Sequence, residues 1–298
     1  MKHYNNMARQ AGMTLIELTV VLLILIGLAG LLVPYVGSFT QTTHDSTNSN
    51  NVTQLNNAMG RYVNEKNRIP PHVDTLTNGL ADAGSAGGTC TGAVQWDIYC
   101  GLANPALFTP TVYGANSIAA QSLVKSGINM AVGNDPNIAN RTFGTSTGMY
   151  MLDGPASTDF DTTAFASVAD AGLATDMMSS GVEKHLAKAL GRDPMVYNDT
   201  CYDYIGVGIG DNNELIQSTM AAAPVFFPQD AEYGPAKAYG HFIAILQVHK
   251  DNTSAGCSAV IEPAKFLGVV ANVPTSESAT LVGANTLLAK GWENRAAN

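Results

Sequence analysis

The feature that most constrains this chain is an apolar stretch near its amino end, residues 12–36, with the sequence GMTLIELTVVLLILIGLAGLLVPYV. Its one charged residue is Glu17. As an α-helix the stretch would be about 36 Å long, whereas the hydrocarbon core of a bilayer is about 30 Å thick. The sequence therefore predicts a helix that can span a membrane.

The carboxylate of Glu17 lies near the start of this stretch. An acidic side chain inside a bilayer costs about 2.5 to 3.5 kcal/mol, so such a residue indicates a function and needs a positive partner. The preceding residues are polar and include Lys2 and Arg9. By the positive-inside rule they keep the amino end in the cytoplasm and direct the rest of the chain outward.

An ordinary secretory signal peptide is the first alternative. Such a signal needs a small-residue cleavage site after its apolar run, and residues 33–37, VPYVG, are a poor one. The small residue instead precedes the run, at Gly12. An uncleaved signal anchor with an incidental Glu17 is the second alternative.

Residues 12–18, GMTLIEL, follow a basic leader and precede Pro34, and this arrangement resembles the amino terminus of the type IV pilin and pseudopilin superfamily. The resemblance implies that a prepilin peptidase cleaves after Gly12 and methylates Met13, and that Glu17 is the acidic residue of the family. Met13 differs from the phenylalanine that is commonest there. The ammonium group created at Met13 would lie four residues before Glu17, on the same helical face, where it can neutralise the carboxylate.

A second helical pattern follows. Its apolar residues, spaced as on one helical face, are Val52, Leu55, Met59, Tyr62 and Val63. The pattern ends at residues 67–71, NRIPP, because proline disfavours helix, and this end resembles the exit of the pseudopilin spine helix. One helix is therefore predicted from Met13 to about Lys66. Within it, residues 40–51 are rich in Thr, Ser and Asn, which predicts either a solvated helix or a flexible neck.

The predicted fold is α+β and pilin-like: a long amino-terminal hydrophobic spine helix packs on the antiparallel sheet of a head that carries a large inserted region. The predicted parts are a leader at 1–12, an apolar half-helix at 13–36, an amphipathic half-helix at 37–71 and a head at 72–298, divided into an elaborated insertion at 72–199 and an antiparallel sheet at 200–298. Helices are predicted at 115–125 and 164–190, and strands at 150–152, 202–207, 239–248 and 266–270.

The four cysteines are Cys90, Cys100, Cys201 and Cys257, all on the outward side of the predicted anchor. Four cysteines allow three pairings. In an oxidising compartment we favour Cys90 with Cys100, which closes a short loop, and Cys201 with Cys257, which joins the carboxyl-terminal strands. Their spacing is not that of a structural zinc site.

Two glycine-rich motifs resemble catalytic or cofactor loops. Residues 144–148, GTSTG, match a nucleophile elbow around Ser146, but the apolar residues after them predict a strand where that motif needs a helix. Residues 206–210, GVGIG, lack the third glycine of a dinucleotide loop. We therefore predict a surface loop and a packed strand, and neither catalysis nor a cofactor.

The carboxylates of Asp199, Asp203, Asp211 and Glu214 bracket a predicted strand and could hold calcium, although solvated turn carboxylates are the favoured interpretation. The net charge of −9 argues against nucleic acid as the main partner. No metal site is predicted.

The predicted function is structural: a prepilin held in the inner membrane, with its amino terminus in the cytoplasm and its head in the periplasm, and then assembled through its helix into a homo-oligomeric surface filament. The resemblance implies three partners, a prepilin peptidase, an assembly ATPase and an inner-membrane platform protein. The alternatives are a pseudopilin of a type II secretion machine and a membrane-anchored periplasmic hydrolase using Ser146.

Overall fold

The computed structural model describes residues 15–74, 108–113, 117–133, 148–151, 164–168, 186–187, 189–191, 197–198, 200–227, 241–273, 280–284 and 287. Several sequence-based predictions lie outside these residues. They are the cleavage at Gly12 and Met13, the pairing of Cys90 with Cys100, and the roles considered for Ser146 and Asp199.

The first element is one unbroken helix of 52 residues, α1, Leu15–Lys66. It ends where Asn67 adopts a positive φ of 56°, a conformation that asparagine tolerates better than most residues. Two prolines follow, so the helix cannot continue. The end at Lys66 agrees with the predicted end, and the segment 40–51 is helical throughout.

The amino half of α1 is apolar and exposed. Between residues 15 and 28 every large apolar side chain is exposed, from 47% at Leu18 to 79% at Leu15. In the part of the chain that the structure describes, no helix is long and apolar enough to cross a membrane. The predicted stretch 12–36 extends beyond the described side chains, since residues 12–14 and the side chains of 31–38 are not among them.

Two further helices of the described residues are α2, Ile118–Lys125, and α3, Leu215–Ser218. The strands are β1 Val73–Asp74, β2 Phe108–Val112, β3 Met130–Gly133, β4 Gly148–Met151, β5 Ala164–Val168, β6 Tyr202–Ile209, β7 Phe242–His249, β8 Lys265–Val273 and β9 Thr280–Val282. Helix α2 begins after Ser117, whose side chain accepts a hydrogen bond from the Ala120 N–H, as expected of an N-cap.

Within the described residues, nine strands are connected by hydrogen bonds in the order β4-β3-β1-β6-β7-β8-β9, with β2 paired to β5 and β5 paired to β6. Strands β5 and β1 both pair with the same edge of β6. Ser167 of β5 pairs with Ile205, and Asp74 of β1 pairs with Gly208. The pairs are antiparallel except β1 with β3. The fold is therefore α+β.

The sequence-based secondary structure is confirmed at most of the predicted elements that the structure describes. Helix α2 and strands β4, β6, β7 and β8 lie where a helix and strands were predicted. The helix predicted at 164–190 is wrong at its start, because Ala164–Val168 is a strand. Pairing with β6 outweighs the helix propensity of its alanines. The sheet is also not confined to 200–298, since β1 to β5 belong to it.

The core lies between the carboxyl half of α1 and the sheet. Four side chains of α1 in this core are almost fully buried: Val52, Leu55, Met59 and Tyr62. They pack in one cluster with residues of β6 and β7, among them Ile205, Val207, Phe242, Ala244 and Leu246. Burying such side chains stabilises the fold by about 1.5 to 3 kcal/mol each. The head is thus built around the second half of α1.

Candidate functional site

The first candidate site is the exposed half of α1 with Glu17. Glu17 lies within α1, among large apolar side chains that are exposed. The Thr19 hydroxyl donates a hydrogen bond to the Ile16 carbonyl oxygen, at 2.9 Å, within the helix. The face is thus apolar apart from one carboxylate, which suits packing against other apolar helices.

The second candidate site is the attachment of α1 to the head, and it depends on Asn48. The side chain of Asn48 is 1% exposed. Its Nδ2 donates to the Phe227 carbonyl oxygen at 2.6 Å, and its Oδ1 accepts from the Phe227 N–H at 2.9 Å. One amide therefore satisfies both backbone groups of a residue that has no strand partner.

Neighbouring polar side chains of α1 extend this attachment. The Ser49 hydroxyl donates to the Ala284 carbonyl oxygen at 3.0 Å, and Asn51 Nδ2 donates to the Val225 carbonyl oxygen at 3.2 Å. The rings of His44 and Phe227 stack with their centroids 5.5 Å apart. Further along, Asn56 Oδ1 accepts from the Val269 N–H at 2.8 Å.

Sequence reasoning missed this role of residues 40–51, which were predicted to be either solvated or flexible. Here Asp45, Asn48 and Ser49 are buried. The available signal was their spacing, because Asp45, Asn48 and Ser49 continue the stripe of Val52 and Leu55 at helical intervals. Polar residue types hid the stripe, since Asn48 and Ser49 bind backbone groups of the head and do not pack on an apolar surface.

We expect Asn48→Ala to lower the free energy of unfolding by about 2 kcal/mol, because the substitution removes two hydrogen bonds made by a side chain that is almost fully buried. The measurement is urea unfolding of the full chain in detergent. The matched control is Asn50→Ala, since Asn50 is exposed on the same helix and its replacement should change little. Equal stability of the two variants would contradict this account of the attachment.

At the exit of α1, Arg68 binds Glu214. Arg68 Nη2 lies 2.9 Å from Oε1 and 2.8 Å from Oε2 of Glu214. Gly127 has a φ of 98°, and a Cβ there would lie 2.7 Å from the Arg68 Cβ. Position 127 therefore requires glycine. The Glu214 carboxylate is held beside the positive charge of Arg68.

At the other end of β6, Asp203 has different partners. The Tyr113 hydroxyl donates to Asp203 Oδ2 at 2.9 Å, and Lys250 Nζ lies 3.0 Å from Oδ1. The seven residues of strand from Asp203 to Ile209 span about 20 Å, which separates Asp203 from Glu214. These two carboxylates therefore do not share one calcium site, and no group of three metal-binding side chains occurs among the described residues.

Burial raises the pKa of Tyr113 well above its usual range, and the negative charge of Asp203, which accepts its hydrogen bond, raises it further. A raised pKa in the folded state stabilises the fold below the unfolded tyrosine pKa of about 10, and this contribution is lost as the pH rises toward the folded value. We therefore expect the free energy of unfolding to fall above about pH 10, and to fall less steeply in Tyr113→Phe. The free energy of unfolding is measured by urea unfolding at several pH values above about 10. If it falls equally steeply with pH in the parent and in Tyr113→Phe, the raised pKa of Tyr113 is contradicted.

The structure places the two glycine-rich motifs beside or within strands. Strand β4 begins at Gly148, so a strand follows the 144–148 motif where a nucleophile elbow needs a helix. Gly206 and Gly208 lie within β6, paired with Ile245 and Ile243 of β7. The second motif is thus the packed strand that the sequence predicted.

Cys201 and Cys257 are joined in a disulfide, with their Cα atoms 5.4 Å apart. This is the pairing favoured from the sequence. It connects the residue before β6 to the segment between β7 and β8.

No family model matches the chain, and neither a curated protein nor a solved structure matches it.

Proposed function

We propose that this chain is the precursor of a pilin-like filament subunit, assembled through its amino-terminal helix. The observation that carries the proposal is the contrast along one unbroken helix: the described large apolar side chains between 15 and 28 are exposed, whereas Val52, Leu55 and Met59 are buried in the head. An apolar surface of this extent on a subunit favours burial against another surface. Identical helices from neighbouring copies supply such a surface.

The finer fold proposed here is a hydrophobic spine helix with a head on its second half. Before assembly the apolar half would hold the subunit in the inner membrane, with the head in the periplasm. After cleavage between Gly12 and Met13, the new ammonium group would neutralise Glu17 in the same or a neighbouring helix. Assembly would need a prepilin peptidase, an assembly ATPase and a platform protein.

Two measurements test the proposal. Intact-mass analysis of membrane-extracted protein should show the loss of residues 1–12 and the gain of one methyl group at Met13. Full-length protein in cells that contain the peptidase would refute the assignment.

Electron microscopy of material sheared from the cell surface should then show filaments containing the subunit. Processed protein that never leaves the periplasm would favour the pseudopilin of a secretion machine. In either case a serine-directed probe should leave Ser146 unlabelled, and labelling would favour the hydrolase.

A further inference from the structure

A groove of about 390 Å³ lies where the carboxyl ends of α1 and α2 meet the start of β8, and it is here called the α1–α2 groove. Part of its lining is apolar and comes from Val63, Ile69, Ala264 and Phe266. Ligand-binding clefts have volumes of about 300 to 1,000 Å³ and combine apolar walls with a few polar groups. The α1–α2 groove has the size and the lining of such a cleft.

Three basic residues line the groove: Arg68, Lys125 and Lys265. Among the described residues that line it, none is a carboxylate, although the whole chain has a net charge of −9. Glu214 and Glu262, which pair with Arg68 and Lys265, lie outside the lining. These pairs are partly exposed to solvent, and exposed ion pairs are weak. The groove therefore offers positive charge to a ligand.

Lys125 has no carboxylate partner in the described part of the chain. Its ammonium group donates to the Ile261 carbonyl oxygen at 3.0 Å, which leaves two of its three N–H groups for other acceptors. The carboxyl ends of two helices favour nearby cations, which accounts for a lysine at this position. They do not account for the second unusual feature of the groove, which is a glycine.

Gly60 lies inside α1 and lines the groove, although glycine destabilises a helix interior relative to alanine. Its φ is not positive. Apart from the adjacent backbone of α1, no atom lies within 4 Å of the place that a Cβ would take. Gly127 differs, because its φ of 98° and the nearby Arg68 side chain require glycine. Packing within the described residues thus leaves Gly60 unexplained, whereas glycine on a binding surface lets another backbone approach closely.

We propose that the α1–α2 groove binds an extended acidic peptide segment of another polypeptide, whose backbone crosses α1 at Gly60. The carboxylates of the segment contact the basic residues of the groove, so the two surfaces are complementary in charge. Its apolar side chains lie against Val63 and Phe266. A side chain at position 60 would occupy the space that the backbone of the segment needs.

Fluorescence anisotropy of a labelled peptide, DDLLDD with capped ends, tests the proposal on the full chain in neutral detergent. The detergent covers the exposed apolar half of α1, which ends about 48 Å from Gly60 along the helix. We expect saturable binding that weakens as salt is added, because salt screens exposed charges. The peptides NNLLNN and DDSSDD should each bind at least about tenfold more weakly, since one lacks the carboxylates and the other lacks the apolar side chains.

Two variants locate the binding site. Gly60→Leu fills the groove without a clash, and leucine favours a helix more than glycine does, so the variant should fold and bind DDLLDD at least about tenfold more weakly. Lys125→Gln removes one exposed cation and should weaken binding about two- to fivefold.

The matched controls are Gln54→Leu, at an exposed position of α1 outside the groove, and Lys66→Gln, in the last turn of the same helix. Both should bind the peptide as the parent does. Equal binding by the parent and Gly60→Leu, or no binding by the parent, would overturn the proposal. Displacement by inorganic phosphate at the concentration of the peptide would show a simple anion site and overturn it as well. Binding is measured on isolated subunits, so no outcome depends on whether the chain forms filaments.

Discussion

Glu17→Ala is expected to leave membrane insertion and peptidase cleavage intact and to abolish most filament assembly. The substitution removes the desolvation cost of the carboxylate, so residence in the membrane becomes easier. In a filament it would leave the Met13 ammonium group unpaired among apolar helices. Breaking a buried ion pair in this way costs about 3 to 5 kcal/mol, so subunits should accumulate in the membrane.

The measurement is the ratio of assembled to membrane-bound subunit in the variant and the parent, with cleavage at Gly12 checked in both. Thr19→Ala is the matched control, because Thr19 lies on the same part of the helix and its hydroxyl bonds only within the helix. An unchanged ratio for Glu17→Ala, in a cell with a working assembly machine, would remove the main physical argument for a filament core.

The second large effect is expected when the disulfide between Cys201 and Cys257 is removed. The two residues are separated by 56 positions, and closing a loop of that length stabilises the folded state by about 4 kcal/mol in the chain-entropy account. The paired substitution Cys201→Ser with Cys257→Ser should therefore lower the free energy of unfolding by about that amount. Urea unfolding of the full chain measures it.

The control for this experiment is the substitution of Cys90 and Cys100 by serine. Their predicted pairing would close a much shorter loop, so the free energy of unfolding should decrease by less. Peptide mapping without reductant should first recover each predicted link. Free thiols at Cys201 and Cys257 in exported protein would contradict the pairing. If the free energy of unfolding decreases no more in this variant than in the control, the entropic estimate is contradicted.

The sequence predicted those elements whose pattern is local and repetitive. The end of α1 followed from the spacing of Leu55, Met59 and Tyr62 and from the two prolines beyond it. Strands β6 and β7 followed from β-branched and aromatic runs between turn residues. In each case local preference and tertiary packing favour the same structure.

Other features depend on contacts between distant residues, which a single sequence does not reveal. Residues 164–168 form a strand because they lie between β2 and β6 and pair with both. Asn48 is buried only because Phe227, 179 positions away, presents a backbone without a strand partner. The partners of Asp203, which are Tyr113 and Lys250, are likewise far away in the sequence. The proposed processing and assembly residues stay predictions, because Gly12 and Met13 lie outside the described residues.

The unbroken course of α1 has a mechanical consequence. Beside the apolar core, four polar side chains join the helix to the head by hydrogen bonds: Asn48, Ser49, Asn51 and Asn56. They lie within about 12 Å of helix length, and each binds a backbone group on the head. A tensile load along the helix axis therefore pulls these bonds in shear, all at once, and the load is divided among them. The head would resist such a pull as a single block, whereas a force across the helix would break the same bonds one after another.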